Sequence, residues 1–160
     1  MLLYRSSVRK VLVTGMSGVG KSTVLAALES RGFDVVDTDE PGWTEWSDAQ
    51  QGYVWREPRI VELLGGDRNV ALFVSGTVSN QGRFYSSFDA VVLLSAPVHV
   101  LLGRIDARTT NDYGKTAEQR ELILEHVREV EPLLRATCTH EIDASRPLDE
   151  VVSELVRIGA

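Results

Sequence analysis

Val11-Leu12-Val13-Thr14-Gly15-Met16-Ser17-Gly18-Val19-Gly20-Lys21-Ser22 is the stretch on which the fold turns. Its first four residues form a β-branched, mostly apolar run, as in a strand covered on both faces. From Gly15 the chain fits G-x-x-x-x-G-K-[ST] at every position, and a helical pattern follows over residues 22–30. A strand before and a helix after is the context in which that motif acts. Gly15, Gly18 and Gly20 permit the tight turns that aim successive backbone N–H groups at one point, joined by the amides of Ser17, Val19 and Thr23. The start of the helix adds partial positive charge at the same place. Lys21 is spaced to reach the β- and γ-phosphates of a nucleotide, and the Ser22 hydroxyl to ligate Mg²⁺. The stretch reads as a nucleotide phosphate loop.

Outward from this loop the chain alternates between two periods. Further strand-like runs lie at 33–36, 70–74, 90–94 and, more weakly, 139–142. Helical patterns lie between them, at 56–64, 98–108 and 116–135, and close the chain at 148–158. Gly32 suits the left-handed position just past the first helix, and Pro132 is expected to kink or break the last turn of 116–135. Strand and helix in alternation predict a three-layer α/β domain with a parallel sheet, occupying residues 1–160 as one unit. Two stretches, 37–53 and 109–115, read as irregular, and long irregular connections tend to carry function.

Composition narrows the choice. The chain has 160 residues, 43% apolar and 25% charged, which suits a globular domain and excludes disordered or fibrous classes. Seventeen Lys and Arg against 23 Asp and Glu give a net charge of −6, a poor match for nucleic acid held by bulk phosphate attraction. The single cysteine, Cys138, predicts a reducing compartment. The opening MLLYRSSVRK is too short in its apolar part for a secretory leader, and no apolar run reaches the roughly 18 residues of a membrane span. The expectation is a cytoplasmic protein without nucleic-acid or membrane partners. Its three histidines, His99, His126 and His140, are too scattered to predict a metal site, and no Gly-x-Ser-x-Gly elbow supports hydrolase chemistry.

The remaining motifs sort the phosphate-loop classes. There is no Asn-Lys-x-Asp run, as guanine-specific GTPases require, and no Leu-Ser-Gly-Gly, as transporter ATPases require. The strands at 70–74 and 90–94 are followed by Ser75 and Ser95 rather than by an acid. The acids follow the second strand instead, in Asp37-Thr38-Asp39-Glu40. Together with Ser75-Gly76, the Arg104 and Arg108 pair, and Ile142-Asp143 with Arg146-Pro147-Leu148, the chain resembles the small P-loop kinases related to shikimate, gluconate and adenylate kinase.

That resemblance implies a P-loop NTPase fold with five parallel strands in the order 2-3-1-4-5. It also implies use of ATP with Mg²⁺ and a short lid at about 105–120. In this group's pattern Asp37 reaches Mg²⁺ alongside Ser22, and Asp39 contacts the acceptor hydroxyl and acts as base. Arg104 and Arg108 carry charge over the phosphates, with Gly114 as hinge, and the adenine lies near Arg108, Arg146 and Pro147. The acceptor is expected in the region 37–64, at Asp39, Arg56 and Arg59, and in the loop after the third strand, at Gly76 and Arg83.

Against these stand plainer readings: Arg56 and Arg59 as an exposed helix face, Arg83, Lys115 and Arg120 as surface, and Glu40 as part of a solvated loop. Trp43, Trp46, Tyr53 and Trp55 either pack as a lid over the core or form an aromatic wall for a ring-bearing acceptor, nucleoside or sugar. The chain departs from shikimate kinases where they carry a carboxylate-binding arginine, for Val130 aligns there. Their triple glycine after the third strand is Ser75-Gly76-Thr77 here. The expected function is therefore a monomeric or dimeric ATP-dependent small-molecule kinase for an acceptor other than shikimate. A nucleoside monophosphate kinase is the near alternative, and a low-turnover nucleotide-binding regulatory module the alternative of another class.

Overall fold

The computed structural model describes residues 8–160; most of the opening stretch weighed above as a possible leader lies outside them. Seven strands and six α-helices follow in chain order: β1 Lys10–Gly15, α1 Lys21–Ser30, β2 Asp34–Asp37, β3 Thr44–Ser47, β4 Gly52–Trp55, α2 Glu57–Gly65, β5 Leu72–Ser75, β6 Ala90–Ser95, α3 Val98–Ala107, α4 Ala117–Glu129, α5 Glu131–Thr137, β7 His140–Asp143 and α6 Leu148–Ile158. A 3-10 helix, Gln81–Ser87, joins β5 to β6. Among the described residues no helix is long and apolar enough to cross a membrane.

β2, β5, β1, β6 and β7 form one parallel sheet in that order. The fold class is thus the expected one. Counting along the chain, the order departs from 2-3-1-4-5 because a hairpin inserts two strands, β3 and β4, that form a separate antiparallel ribbon. The hairpin corrects the irregular reading of 37–53. Its alternation is short, and its polar residues, such as Glu45 and Ser47, mask the period in the sequence.

Side-chain alternation along the strands divides the core. Val11, Val13 and Phe73 pack on one face of the sheet with Leu28 of α1, Leu101 of α3 and Leu155 of α6. Leu12, Leu72 and Val74 pack on the other with Ile60 of α2, Phe84 and Trp55. Three layers result, as a sheet buried on both faces requires. Pro132 ends one helix and starts the next, sitting in the first turn of α5 where its missing N–H is harmless.

The parallel registers bring the carboxyl ends of four strands to one edge: Asp37 pairs with Ser75, Val13 with Ser75, and Gly15 with Leu94. Open α/β sheets form ligand sites at this edge.

Trp55 ties the hairpin to that edge. It is fully buried, and its indole Nε1 donates to Thr38 Oγ1 at 2.9 Å, while the Thr38 hydroxyl donates to the Ser75 carbonyl at 2.7 Å. Trp55→Phe keeps most of the ring but deletes the donor, and is expected to cost about 1–2 kcal/mol, a fall in Tm of about 3–6 °C in thermal unfolding.

Candidate active site

The loop between β1 and α1 bends around a cavity of about 680 Å³. Gly18 and Gly20 take φ of +85° and +100°, left-handed angles that favour glycine, and the Val19 amide closes the turn on the Met16 carbonyl at 3.2 Å. The cavity wall is completed by Asp39, by Arg104, Ala107 and Arg108 at the end of α3, by Asn111 and Tyr113 beyond it, and by Ala144, Arg146 and Leu148 before and at the start of α6. Residues 16–24, Asp39 and the segment 104–113, remote in sequence, thus meet around one cavity, whereas Gly15 and Asp37 are not part of its lining.

Lys21 folds back on its own loop, its Nζ donating to the Gly15 carbonyl at 2.6 Å. Burial holds its pKa below the ordinary lysine value. Asp39 and Asp37 oppose that shift, while the Arg108 charge adds to it. The Ser22 hydroxyl donates to Asp37 Oδ2 at 2.9 Å, and Asp37 Oδ1 accepts from the Asp39 amide at 3.0 Å. One carboxylate thus joins the first helical turn to the backbone that carries the second carboxylate. Asp39 is open to water at the cavity mouth, yet loss of hydration there raises its pKa above the usual carboxylate value. Lys21 lowers it in part, and Asp37 raises it further.

Among the described residues no cluster of three His, Cys, Asp or Glu residues is placed to hold a metal ion by itself. The Ser22 hydroxyl and Asp37 carboxylate nevertheless fit Mg²⁺. That ion takes oxygen ligands and is commonly held by one or two protein groups together with nucleotide phosphates and water.

Arg104 and Arg108 differ in what they do. Arg104 donates to the Val19 carbonyl at 2.8 Å and the Ala144 carbonyl at 2.6 Å, so it straps the phosphate loop to the loop after β7. Arg108 donates to the carbonyls of Asn111 and Tyr113, which curls the lid around its guanidinium. Lys115 donates to the Arg108 carbonyl and Arg120 to the Gly114 carbonyl and Asp106. Both fasten the segment 106–115 rather than standing as plain surface. Gly114 is buried at φ +91°, and a Cβ there would lie 2.8 Å from Ile123 Cδ1 and 2.9 Å from Ile105 Cγ2. It is a packed anchor, which corrects its reading as a hinge.

The expected acceptor residues are not brought together at the cavity, apart from Asp39. Arg56 donates to the Thr44 carbonyl, and Arg59 to the Gly42 carbonyl while stacking 4.0 Å over the Trp43 ring. Arg83 is 72% exposed and forks onto both oxygens of Glu57, at 3.1 and 3.0 Å. Gly76 packs against Thr38 and Trp55, so a side chain there would collide with the Thr38 hydroxyl. The three arginines brace the hairpin, α2 and the 3-10 helix, and Gly76 lets β5 pass close to Thr38 and Trp55. Pro147 caps α6 and is absent from the lining, whereas its neighbours Arg146 and Leu148 are present. The aromatic cluster divides as well. Trp55 is core, Trp43 lies under Arg59, and Trp46 and Tyr53 stand exposed in an edge-to-face pair 5.4 Å apart.

One polar group was missed by the sequence reading. Thr14, Thr77 and Gln81 link under the phosphate loop, Thr14 and Gln81 fully enclosed and Thr77 half-buried. The available sign was Thr14, a hydroxyl at the end of an otherwise apolar strand.

Fold and cavity together define a P-loop nucleotide-binding domain of the small-kinase type. The family model described as "AAA domain" matches residues 11–125, and the chain belongs to that family. It is 34% identical to a nucleotide-binding protein of Sorangium cellulosum over 93% of its own length, and spans 44% of that relative's length. It is 26% identical to shikimate kinase 2 of Yersinia enterocolitica, over 94% of this chain and 95% of the other. Among solved structures, shikimate kinase from Acinetobacter baumannii in complex with shikimate superposes with a TM-score of 0.67 at 20% identity, covering 95% of this chain and 93% of that one. The last likeness is one of fold.

Proposed function

We propose that this domain is a Mg²⁺·ATP-dependent kinase that transfers the γ-phosphoryl group to a hydroxyl of a small-molecule acceptor in the cytoplasm. The observation that carries the reading is the convergence of Lys21, Ser22 and Asp39 on one cavity that Arg108 also lines, with Asp37 joined to it through the Ser22 hydroxyl. The loop amides and Lys21 bind the phosphates, with Lys21 exchanging the Gly15 carbonyl for a phosphate oxygen. Ser22 and Asp37 hold Mg²⁺, which supplies positive charge to the phosphate oxygens. Asp39 orients the acceptor hydroxyl and accepts its proton as the new O–P bond forms and the bond to the leaving ADP breaks. Arg108 offsets charge on the transferred group, and the lid limits water at the reacting atoms.

The absence of an arginine at Val130, and the engagement of Arg56, Arg59 and Arg83 with other groups, favour an uncharged, hydroxyl-bearing acceptor such as a nucleoside or sugar. The same engagement weighs against a nucleoside monophosphate, whose phosphate needs cations free to fork onto it. A regulatory module with little turnover would bind ATP and ADP without response to any acceptor.

A panel of nucleosides, sugars and polyols, read by ADP release, tests the reading. One acceptor is expected to stimulate release well above basal hydrolysis; stimulation only by added nucleoside monophosphates favours that alternative, and no stimulation by either set favours the binding module. Asp39→Asn is expected to lower kcat about 100-fold, the usual scale for a lost general base, with the affinity for Mg·ATP within about threefold of wild type. Unchanged kcat in that variant removes Asp39 from the mechanism.

A further inference from the structure

The Gly15 peptide sits where β1 turns into the phosphate loop, and it is buried. Its carbonyl oxygen accepts two hydrogen bonds, from Lys21 Nζ at 2.6 Å and from the Thr77 hydroxyl at 2.7 Å. Thr77 Oγ1 also lies 3.3 Å from the Gly15 amide and 3.1 Å from the Thr14 hydroxyl.

Donor counting gives these bonds one direction. Gln81 Oε1 accepts from the Val78 amide at 3.0 Å, which leaves its Nε2 as donor to Thr14 Oγ1 at 3.1 Å and Tyr85 OH at 3.0 Å. The Gly15 carbonyl can only accept, so the Thr77 hydroxyl spends its proton there, and the bond between the two threonines is donated by Thr14. Thr77 thus accepts from Thr14 and from the Gly15 amide. The chain from Gln81 through Thr14 to Thr77 therefore ends on the oxygen that holds Lys21.

Lys21 must leave that oxygen to reach a phosphate. A buried carbonyl stripped of its donors loses a hydrogen bond without regaining water, a penalty the bound state would carry. We propose that Thr77 is a positioning residue that keeps the Gly15 carbonyl satisfied when Lys21 transfers to the nucleotide, and so raises nucleotide affinity without touching the ligand. The inference rests on the phosphate-loop reading. It also gives a use to the threonine that stands where the resembled kinases continue a glycine run, since glycine could supply no hydroxyl.

Two measurements test it on the full chain. By calorimetry, Thr77→Val is expected to weaken Mg·ADP binding about tenfold, with Thr77→Ser restoring most of the affinity because it keeps the hydroxyl. In thermal unfolding without nucleotide, Lys21 and Thr77 back each other up on one oxygen. The loss of Tm from Thr77→Val is thus expected to be larger in a Lys21→Met background than in the wild-type background.

A hydroxyl with a merely local packing role gives additive losses of Tm. Additive losses, or Mg·ADP affinity within threefold of wild type in Thr77→Val, would overturn the proposal while leaving the phosphate loop intact. Should Thr77→Val not fold, Thr77→Ala against Thr77→Ser supplies the same comparison. No binding of Mg·ADP by the wild-type chain at millimolar concentration overturns this inference and the phosphate-loop reading together.

Discussion

Lys21→Ala is expected to reduce basal ATP hydrolysis by about 1,000-fold or more, the scale of removing a cation that offsets developing phosphoryl charge. The same variant is expected to unfold within about 3 °C of wild type, because stability and function draw on this side chain in opposite ways. Burial disfavours the Lys21 ammonium in the folded chain, and its hydrogen bond to the Gly15 carbonyl offsets that cost. When the side chain is removed, the desolvation cost disappears with it, and Thr77 still donates to the carbonyl. Asp39 would lose the neighbour that lowers its pKa, so the carboxyl would take up a proton at higher pH than in wild type. Mg²⁺-dependent phosphate release and a thermal melt on the same preparation check both halves. Retained hydrolysis would detach Lys21 from the chemistry.

Gly18→Ala is expected to be the most destabilising of the substitutions considered. Gly18 has φ +85°, and a Cβ there would lie 2.6 Å from the backbone oxygen of Leu101 and 3.0 Å from Ile105 Cγ1. The collision is with helix α3 itself, which cannot turn aside as a flexible side chain can. Left-handed strain and overpacking together are expected to cost about 3–5 kcal/mol, a fall in Tm of about 8–15 °C for a chain of this size. Gly20→Ala is the internal comparison. Its φ of +100° imposes similar strain, but the nearest atom to its Cβ is Arg104 Nη1 at 3.7 Å. A fall only about a third to a half as large is expected there. Equal losses in the two variants would show that the contact with α3 contributes nothing.

Legibility in the sequence followed the range of the interactions involved. The strands β1, β5 and β6 were readable because both faces are covered and the apolar runs are nearly continuous. Asp37 and Asp39 were readable as a pair because an acid leaving a parallel strand lands at the sheet edge, and the Asx-type bond from the Asp39 amide to Asp37 is local. The hairpin was not. Thr44, Trp46, Tyr53 and Trp55 share one face, yet only Trp55 is buried, and no period of two separates inside from outside over four residues. The contacts of the arginines were not legible for a related reason. Their residue type announces charge, but the partner of each lies far away in sequence: Glu57 for Arg83, Gly42 for Arg59, Ala144 for Arg104.

What the sequence determined by itself is the phosphate loop and the α/β alternation around it. Both rest on neighbouring residues, through glycine backbone freedom, the start of a helix and the periodicity of apolar side chains. Only the tertiary structure decided which charges face the cavity and which brace its walls. It also placed the Thr77 hydroxyl on the carbonyl that holds Lys21. A side chain's partner is chosen when the chain packs, because hydrogen bonds must be satisfied by whatever the fold brings within reach.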